Sequence, residues 1–165
     1  MDQIAVWFAS TLGQYISKEA VVFIVSTIPI LELRGGLLVS PLLGVPITTA
    51  IPLCIIGNII PIPFILLFIK QIFKWMKKVP FFEKIIVKLE NRAMGKSDSI
   101  KRYEFWGLAL FVGIPLPGTG AWTGSLIAAL LEIDFKKAIL AELVGIVMAT
   151  IIMSIVGYGL LGSLL

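Results

Sequence analysis

Three charged side chains stand in sequence that is otherwise apolar: Glu32 and Arg34 in "IPILELRGGLLVS" (28–40), and Glu142 in "AILAELVGIVM" (138–148). A charge at the centre of a bilayer costs roughly 2.5–3.5 kcal/mol on insertion scales, so such residues face a partner or a wet cavity. Burial lets a carboxyl exchange a proton near neutral pH. The planar guanidinium of Arg34 suits the paired oxygens of a phosphate or carboxylate. The structural alternative for Glu32 and Arg34 is an ion pair that only holds its loop together. For Glu142 it is an interfacial carboxylate beside Lys136 and Lys137.

A second group carries no charge. In "PLPGTGAWTG" (115–124), Pro115 and Pro117 leave carbonyls without helical donors, and Gly118, Gly120 and Gly124 admit backbone shapes that other residues resist. Thr119 and Thr123 add hydroxyls. A turn of this kind at a helix start can present N–H groups to an anion; alternatively it is a close-packed turn. Trp122 reads as a wedge or an interfacial anchor. Asn58, in "IIGNIIPIP", is an amide that can hydrogen-bond across helices. Pro61 and Pro63 should kink the helix after it. The expected substrate-binding set is therefore Glu32, Arg34, Gly35, Gly36, Asn58, Pro115, Pro117, Gly118, Thr119, Gly120, Trp122 and Thr123. Glu32 and Glu142 are the proton-coupling candidates.

The elements that would position these residues belong to a membrane. Of 165 residues, 58% are hydrophobic and 15% charged, with a mean hydropathy of +1.02; a soluble domain is about 25% charged. Residues 35–69, 105–131 and 143–165 are free of charge, and each exceeds the roughly 20 residues that cross a bilayer core. The first turn carries Asp2 and no Lys or Arg, so a cleaved signal peptide is not expected. Cys54 is the single cysteine and histidine is absent, which excludes an internal disulfide and imidazole chemistry. There is no phosphate-binding G-x-x-x-x-G-K-[ST] motif, nucleophile–base set or metal-ligand cluster. No enzyme, metal or other cofactor is expected, nor nucleic-acid binding.

Nine basic residues lie between Lys74 and Glu104, against four acidic ones. Such loops stay in the cytoplasm, which predicts a cytoplasmic linker over 76–104; the same rule applies to the loop 132–137 with Lys136 and Lys137. Within the linker, "PFFEKIIVKLENRA" spaces its apolar residues as an amphipathic helix on the inner leaflet does, and its basic face could gather anionic headgroups.

An offset of 88 residues lays 35–57 over 123–145 without a gap, with Gly36 over Gly124, Leu38 over Leu126, Ala50 over Ala138 and Gly57 over Gly145. Residues 18–31 reach about 21 Å as a helix and 105–114 about 15 Å, short of a bilayer core of about 30 Å. Each ends at a Pro/Gly-rich turn and is followed by a short apolar piece (37–43, 125–131) and a long one (47–75, 138–162). The expected fold is an all-α integral membrane protein of two inverted repeats, each a re-entrant helical hairpin followed by one spanning helix, with amphipathic interfacial helices. One membrane domain covers 1–165: an interfacial N-terminal helix (1–17), repeat 1 (18–75), the linker (76–104) and repeat 2 (105–165). Hairpins of opposite orientation with broken helices are the pattern of secondary transporters.

"LELRGG", "GNIIPIP" and "PLPGTGAWTG" resemble the bacterial and archaeal small multidrug export proteins over most of the chain. More distantly, the hairpins resemble the DedA/VTT superfamily, which includes lipid and lipid-carrier translocases. That likeness implies an acidic residue in the first hairpin, matched by Glu32. It also implies an arginine in the second, where this chain has Trp122 and Thr123. The expected function is transport in the cell (inner or plasma) membrane of an anionic lipid or lipid-carrier headgroup, with proton coupling as an option. The alternatives are proton-coupled export of small cationic molecules and a non-transporting scaffold. Expected partners are membrane lipids, a small-molecule or lipid substrate, and further copies of the chain.

Overall fold

The computed structural model describes residues 17–95, 100 and 103–161; the expected N-terminal helix lies outside them but for its last residue. Those residues are helical, with no strand among them. In order come α1 (Lys18–Thr27), α2 (Glu32–Leu42), α3 (Ile47–Ile59), α4 (Pro61–Met76), α5 (Pro80–Met94), α6 (Phe105–Gly113), α7 (Ala121–Leu130) and α8 (Phe135–Ser154). Helix α8 continues as a π-helical segment, Ile155–Leu161. Two compact units result: the described residues up to Ile60 with those from Ile146 onward, and Pro61–Gly145.

Local chemistry sets the ends. Ser17 Oγ accepts from the Ala20 N–H at 3.2 Å, capping α1, with Glu19 in the first turn. Asp134 Oδ1 accepts from the Lys137 N–H at 3.0 Å at the start of α8. Helices α1 and α6 stop at Ile28 and Ile114, both extended because each precedes a proline. The long helix expected over 47–75 is interrupted at Ile60, where Pro61 and Pro63 remove two helical donors. Inside the apolar helices, buried and half-buried hydroxyls turn back on their own backbone: Ser26 to Val22 O (2.8 Å), Thr27 to Phe23 O (3.0 Å) and Thr150 to Ile146 O (2.7 Å).

Several local hydrogen bonds recur at the 88-residue offset. Val45 N–H donates to Ser40 O at 2.9 Å, and Ile133 N–H to Ala128 O at 3.0 Å. Gly44 N–H donates to Pro41 O, and Glu132 N–H to Ala129 O. Three pairs of positions share left-handed backbone: Ile30 and Gly118 (φ 79° and 75°), Glu32 and Gly120 (51° and 131°), Gly44 and Glu132 (69° and 57°). Before the hairpin turn the register is 86, as in Ile28 N–H to Ile24 O and Ile114 N–H to Leu110 O. The second turn is thus two residues longer.

In each unit a side chain of a long helix also reaches the loop after the hairpin. The Tyr158 hydroxyl lies 2.7 Å from Val45 O and 2.8 Å from Ser40 Oγ. Its counterpart at the same offset is Lys70, whose Nζ binds Glu132 at 2.7 Å and holds that exposed carboxyl below the usual carboxylate range.

One hairpin carries non-glycine residues where the other carries glycine. Ile30 is β-branched, left-handed and 95% exposed; that backbone region costs an L-residue roughly 1–2 kcal/mol. Ile30→Gly is expected to raise stability by about 0.5–1 kcal/mol, since glycine's extra freedom in the unfolded chain offsets part of the relief. The reciprocal Gly118→Ile should lower it by about 1–2 kcal/mol. Thermal unfolding in detergent compares the two; a less stable Ile30→Gly would show that no strain resides at the tip.

Two stretches, Ile47–Met76 and Phe135–Gly159, are long and apolar enough to cross a membrane. Their outer faces are apolar as well. Phe64, Leu67, Phe68, Ile72 and Trp75 are exposed along α4; Leu140, Val144, Val147, Ile151 and Ile155 form a row at spacings of three and four along α8 and its extension. Water would not tolerate such rows, whereas lipid covers them. The described residues form an all-helical structure with two helices long and apolar enough for a membrane.

Candidate functional site

In the first unit, "LELRGG" is not the hairpin tip. The turn is Ile28–Leu31, and Glu32 to Gly36 form the first turn and a half of α2. Glu32 is 4% exposed and its N–H donates to Ile28 O at 3.0 Å, closing the turn. Arg34 is half-buried and close enough to feel the Glu32 charge. Gly35 and Gly36 serve close packing rather than the turn. A Cβ on Gly36 would lie 2.0 Å from Ser26 Oγ and 2.6 Å from Cys54 Sγ, and one on Gly35 would lie 2.8 Å from Leu31 Cβ. A hydroxyl and a thiol therefore crowd the backbone two residues past Arg34. Asn58 is buried on α3, and its Oδ1 has no hydrogen-bond partner among the described residues.

In the second unit, Pro115, Pro117, Gly118 and Thr119 form the turn between α6 and α7, and Gly120 precedes the first residue of α7. The Thr119 hydroxyl lies 2.9 Å from Ile114 O and 2.8 Å from Leu116 O, so it ties the turn. Trp122 and Thr123 are half-buried in the first turn of α7.

The feature with the clearest chemistry is Glu142. It is not beside the lysines of its own helix: Lys137 pairs with Glu104, and Glu142 is 0% exposed. The Ser125 hydroxyl of α7 sits 2.9 Å from one carboxylate oxygen and 3.0 Å from the other, able to donate to either. Gly124 makes room, since a Cβ there would lie 2.8 Å from Val112 and 3.8 Å from Glu142 Oε1. Helical geometry explains the placement. At 100° per residue Glu142 stands about 140° from Lys137, whereas Ala138 and Gly145 lie within about 60° of it. Ala138, Ala141 and Gly145 are buried, so a face of small residues was the sequence signal for a close-packed acid. Ser125 escaped notice because a serine in an apolar helix is ordinary.

The repeat sharpens the contrast. Glu142 corresponds to Cys54, Glu32 to Gly120 and Arg34 to Trp122. Among the described residues each unit holds one buried carboxylate, at a different place in its hairpin-and-helix framework. No group of three or more Asp, Glu, Cys or His residues that could hold a metal ion occurs among the described residues.

Neither a curated protein nor a solved structure matches the chain. A sequence model of the family described as "Putative small multi-drug export protein" matches residues 32–152, a stretch that runs from Glu32 at the start of α2 through the second hairpin and past Glu142. The chain belongs to that family of small multi-drug export proteins.

Proposed function

We propose that the protein is a proton-coupled membrane transporter that exports small, lipophilic, cationic molecules. The observation that carries this reading is Glu142, fully buried in a stretch long enough to cross the bilayer and bound by Ser125. A carboxyl kept in apolar surroundings is expensive to hold as a charge and is retained where charge has a task. Glu32, buried at the head of α2, offers a second acid. Together they give a transporter two sites that can exchange a proton for a cation. The hairpins read as re-entrant. The charge rule places the linker 76–104 and the loop 132–137 in the cytoplasm, the sidedness an inverted repeat requires.

A second reading rests on Arg34, which stays partly accessible next to buried Glu32. Its guanidinium could hold an anionic lipid or lipid-carrier headgroup. One experiment separates the two. Purified protein in liposomes receives a fluorescent lipophilic cation in one series and a fluorescent anionic phospholipid in the other, with and without a pH gradient. We expect cation flux that requires the gradient, disappears in Glu32→Gln and persists in Arg34→Lys. Lipid movement that disappears in Arg34→Ala would establish the second reading instead. No movement of either probe would leave a scaffold.

A further inference from the structure

We propose that helix α5 docks on an anionic lipid surface and senses its charge, a role independent of the transport reading. The helix carries three distinct faces. Ile86 is buried, and Glu90 is held by Lys77 Nζ at 2.6 Å, so this side is fixed to the protein, where α5 touches α4 and α7. A second row, Phe81, Ile85 and Leu89 with Phe82 alongside, stays open among the described residues; these four are between 38% and 73% exposed. The Phe81 and Phe82 rings stack edge to face at 5.3 Å, which stiffens the start of the row. A third row, Lys84, Lys88 and Arg92, repeats at the same four-residue spacing about 60° round the helix. An open groove beside it is lined by Glu83, Lys84, Val87, Lys88 and Asn91.

The position of the helix selects its partner. It starts four residues after α4 ends, and α4 closes the stretch Ile47–Met76 that is long enough to cross a membrane. A helix tethered there is held at the depth of the bilayer surface. Lipid covers an apolar row with acyl chains while anionic headgroups meet the basic row one layer above. A nucleic acid would satisfy the lysines but leave the phenylalanines in water. Lys74 and Lys78 extend the basic surface toward the same level. Each basic side chain near an anionic leaflet adds to binding within a Debye length of it.

The test uses the full chain in nanodiscs, with Leu89→Cys carrying an environment-sensitive fluorophore; Cys54 is fully buried and escapes labelling. We expect an apolar signal when phosphatidylglycerol is present, and a water-like one in phosphatidylcholine alone or at high salt. Lys84→Gln, Lys88→Gln and Arg92→Gln together should lower the docked-to-undocked ratio about a hundredfold, the loss of three cations from an anionic surface. If the triple variant fails to fold, Lys88→Gln alone and the salt titration of the unaltered chain decide. A signal equally apolar in both lipids and indifferent to salt would overturn charge sensing. A signal that stays water-like in every membrane, or changes only when an acidic protein or nucleic acid is added, would overturn lipid docking.

Discussion

With Glu142 replaced by glutamine, the protein is expected to fold as before and to lose export driven by a pH gradient. The amide has nearly the volume of the carboxyl and keeps an acceptor oxygen for the Ser125 hydroxyl, 2.9–3.0 Å away in the native protein. Gly124, where a Cβ would lie 3.8 Å from Glu142 Oε1, therefore packs against the same shape. What disappears is the titrating proton. Gradient-driven cation flux in liposomes should fall to the level of protein-free vesicles, while thermal unfolding in detergent stays within about 0.5 kcal/mol of the unaltered protein. Glu142→Leu carries the argument further. It removes an acid from an apolar setting and places a similar volume there, and the Ser125 hydroxyl left behind can turn back on a carbonyl of its own helix, which keeps the cost small. An inactive protein at least as stable as the original is the signature of a residue kept for function. If Glu142→Gln still exports at the native rate with its stability intact, Glu142 is a packing element and Glu32 alone remains as the proton carrier.

Much of this arrangement is legible in the sequence, for reasons that differ along the chain. The 88-residue correspondence shows because helix–helix contacts in lipid demand small residues at fixed places. Gly36 over Gly124 and Gly57 over Gly145 are those places, and Gly57 and Gly145 rest on the carbonyls of Phe23 and Ala109 in turn. The break at Ile60 is legible because proline removes a donor wherever it stands. The left-handed backbone of the second hairpin could be anticipated from Gly118 and Gly120. That of the first could not, because nothing in Ile30 or Glu32 announces a positive φ; the surrounding helices impose it. The glycines of "LELRGG" are likewise in helix, and its charges follow the bend. Glu142 was ambiguous because Lys136 and Lys137 are near it in sequence but lie on other faces of α8. The chemistry of neighbours was plain, and their direction was not. The role of Tyr158 depends on a contact with Ser40 and Val45, more than a hundred residues earlier, and no local pattern encodes it.

Gly145→Ala should be among the most damaging substitutions a single methyl can make in this chain. A Cβ there would lie 2.6 Å from the carbonyl oxygen of Ala109 and 2.7 Å from Val112 Cβ. The first obstacle is backbone and cannot rotate aside, so α8 must move away from α6. Overpacking of this kind costs about 1–3 kcal/mol, and Gly145 belongs at the upper end. Gly57→Ala repeats the experiment in the first unit against Phe23 O at 2.9 Å and Ser26 Cβ at 3.0 Å, and should cost less because the gap is wider. Gly159→Ala is the control. Its nearest neighbour would be 3.9 Å away, and alanine's higher helix propensity should make it neutral or stabilising by up to about 1 kcal/mol. Detergent unfolding of the three variants should rank Gly145→Ala below Gly57→Ala and Gly159→Ala above both. Activity adds a second axis. Gly145 lies three residues past Glu142 on the same buried side of α8, so a displaced helix pulls the carboxylate away from Ser125. Flux should then fall by more than the loss of folded protein explains. Equal stability for Gly145→Ala and Gly159→Ala would mean that α8 already has room to move, and the proton site would then be held by Ser125 rather than by packing.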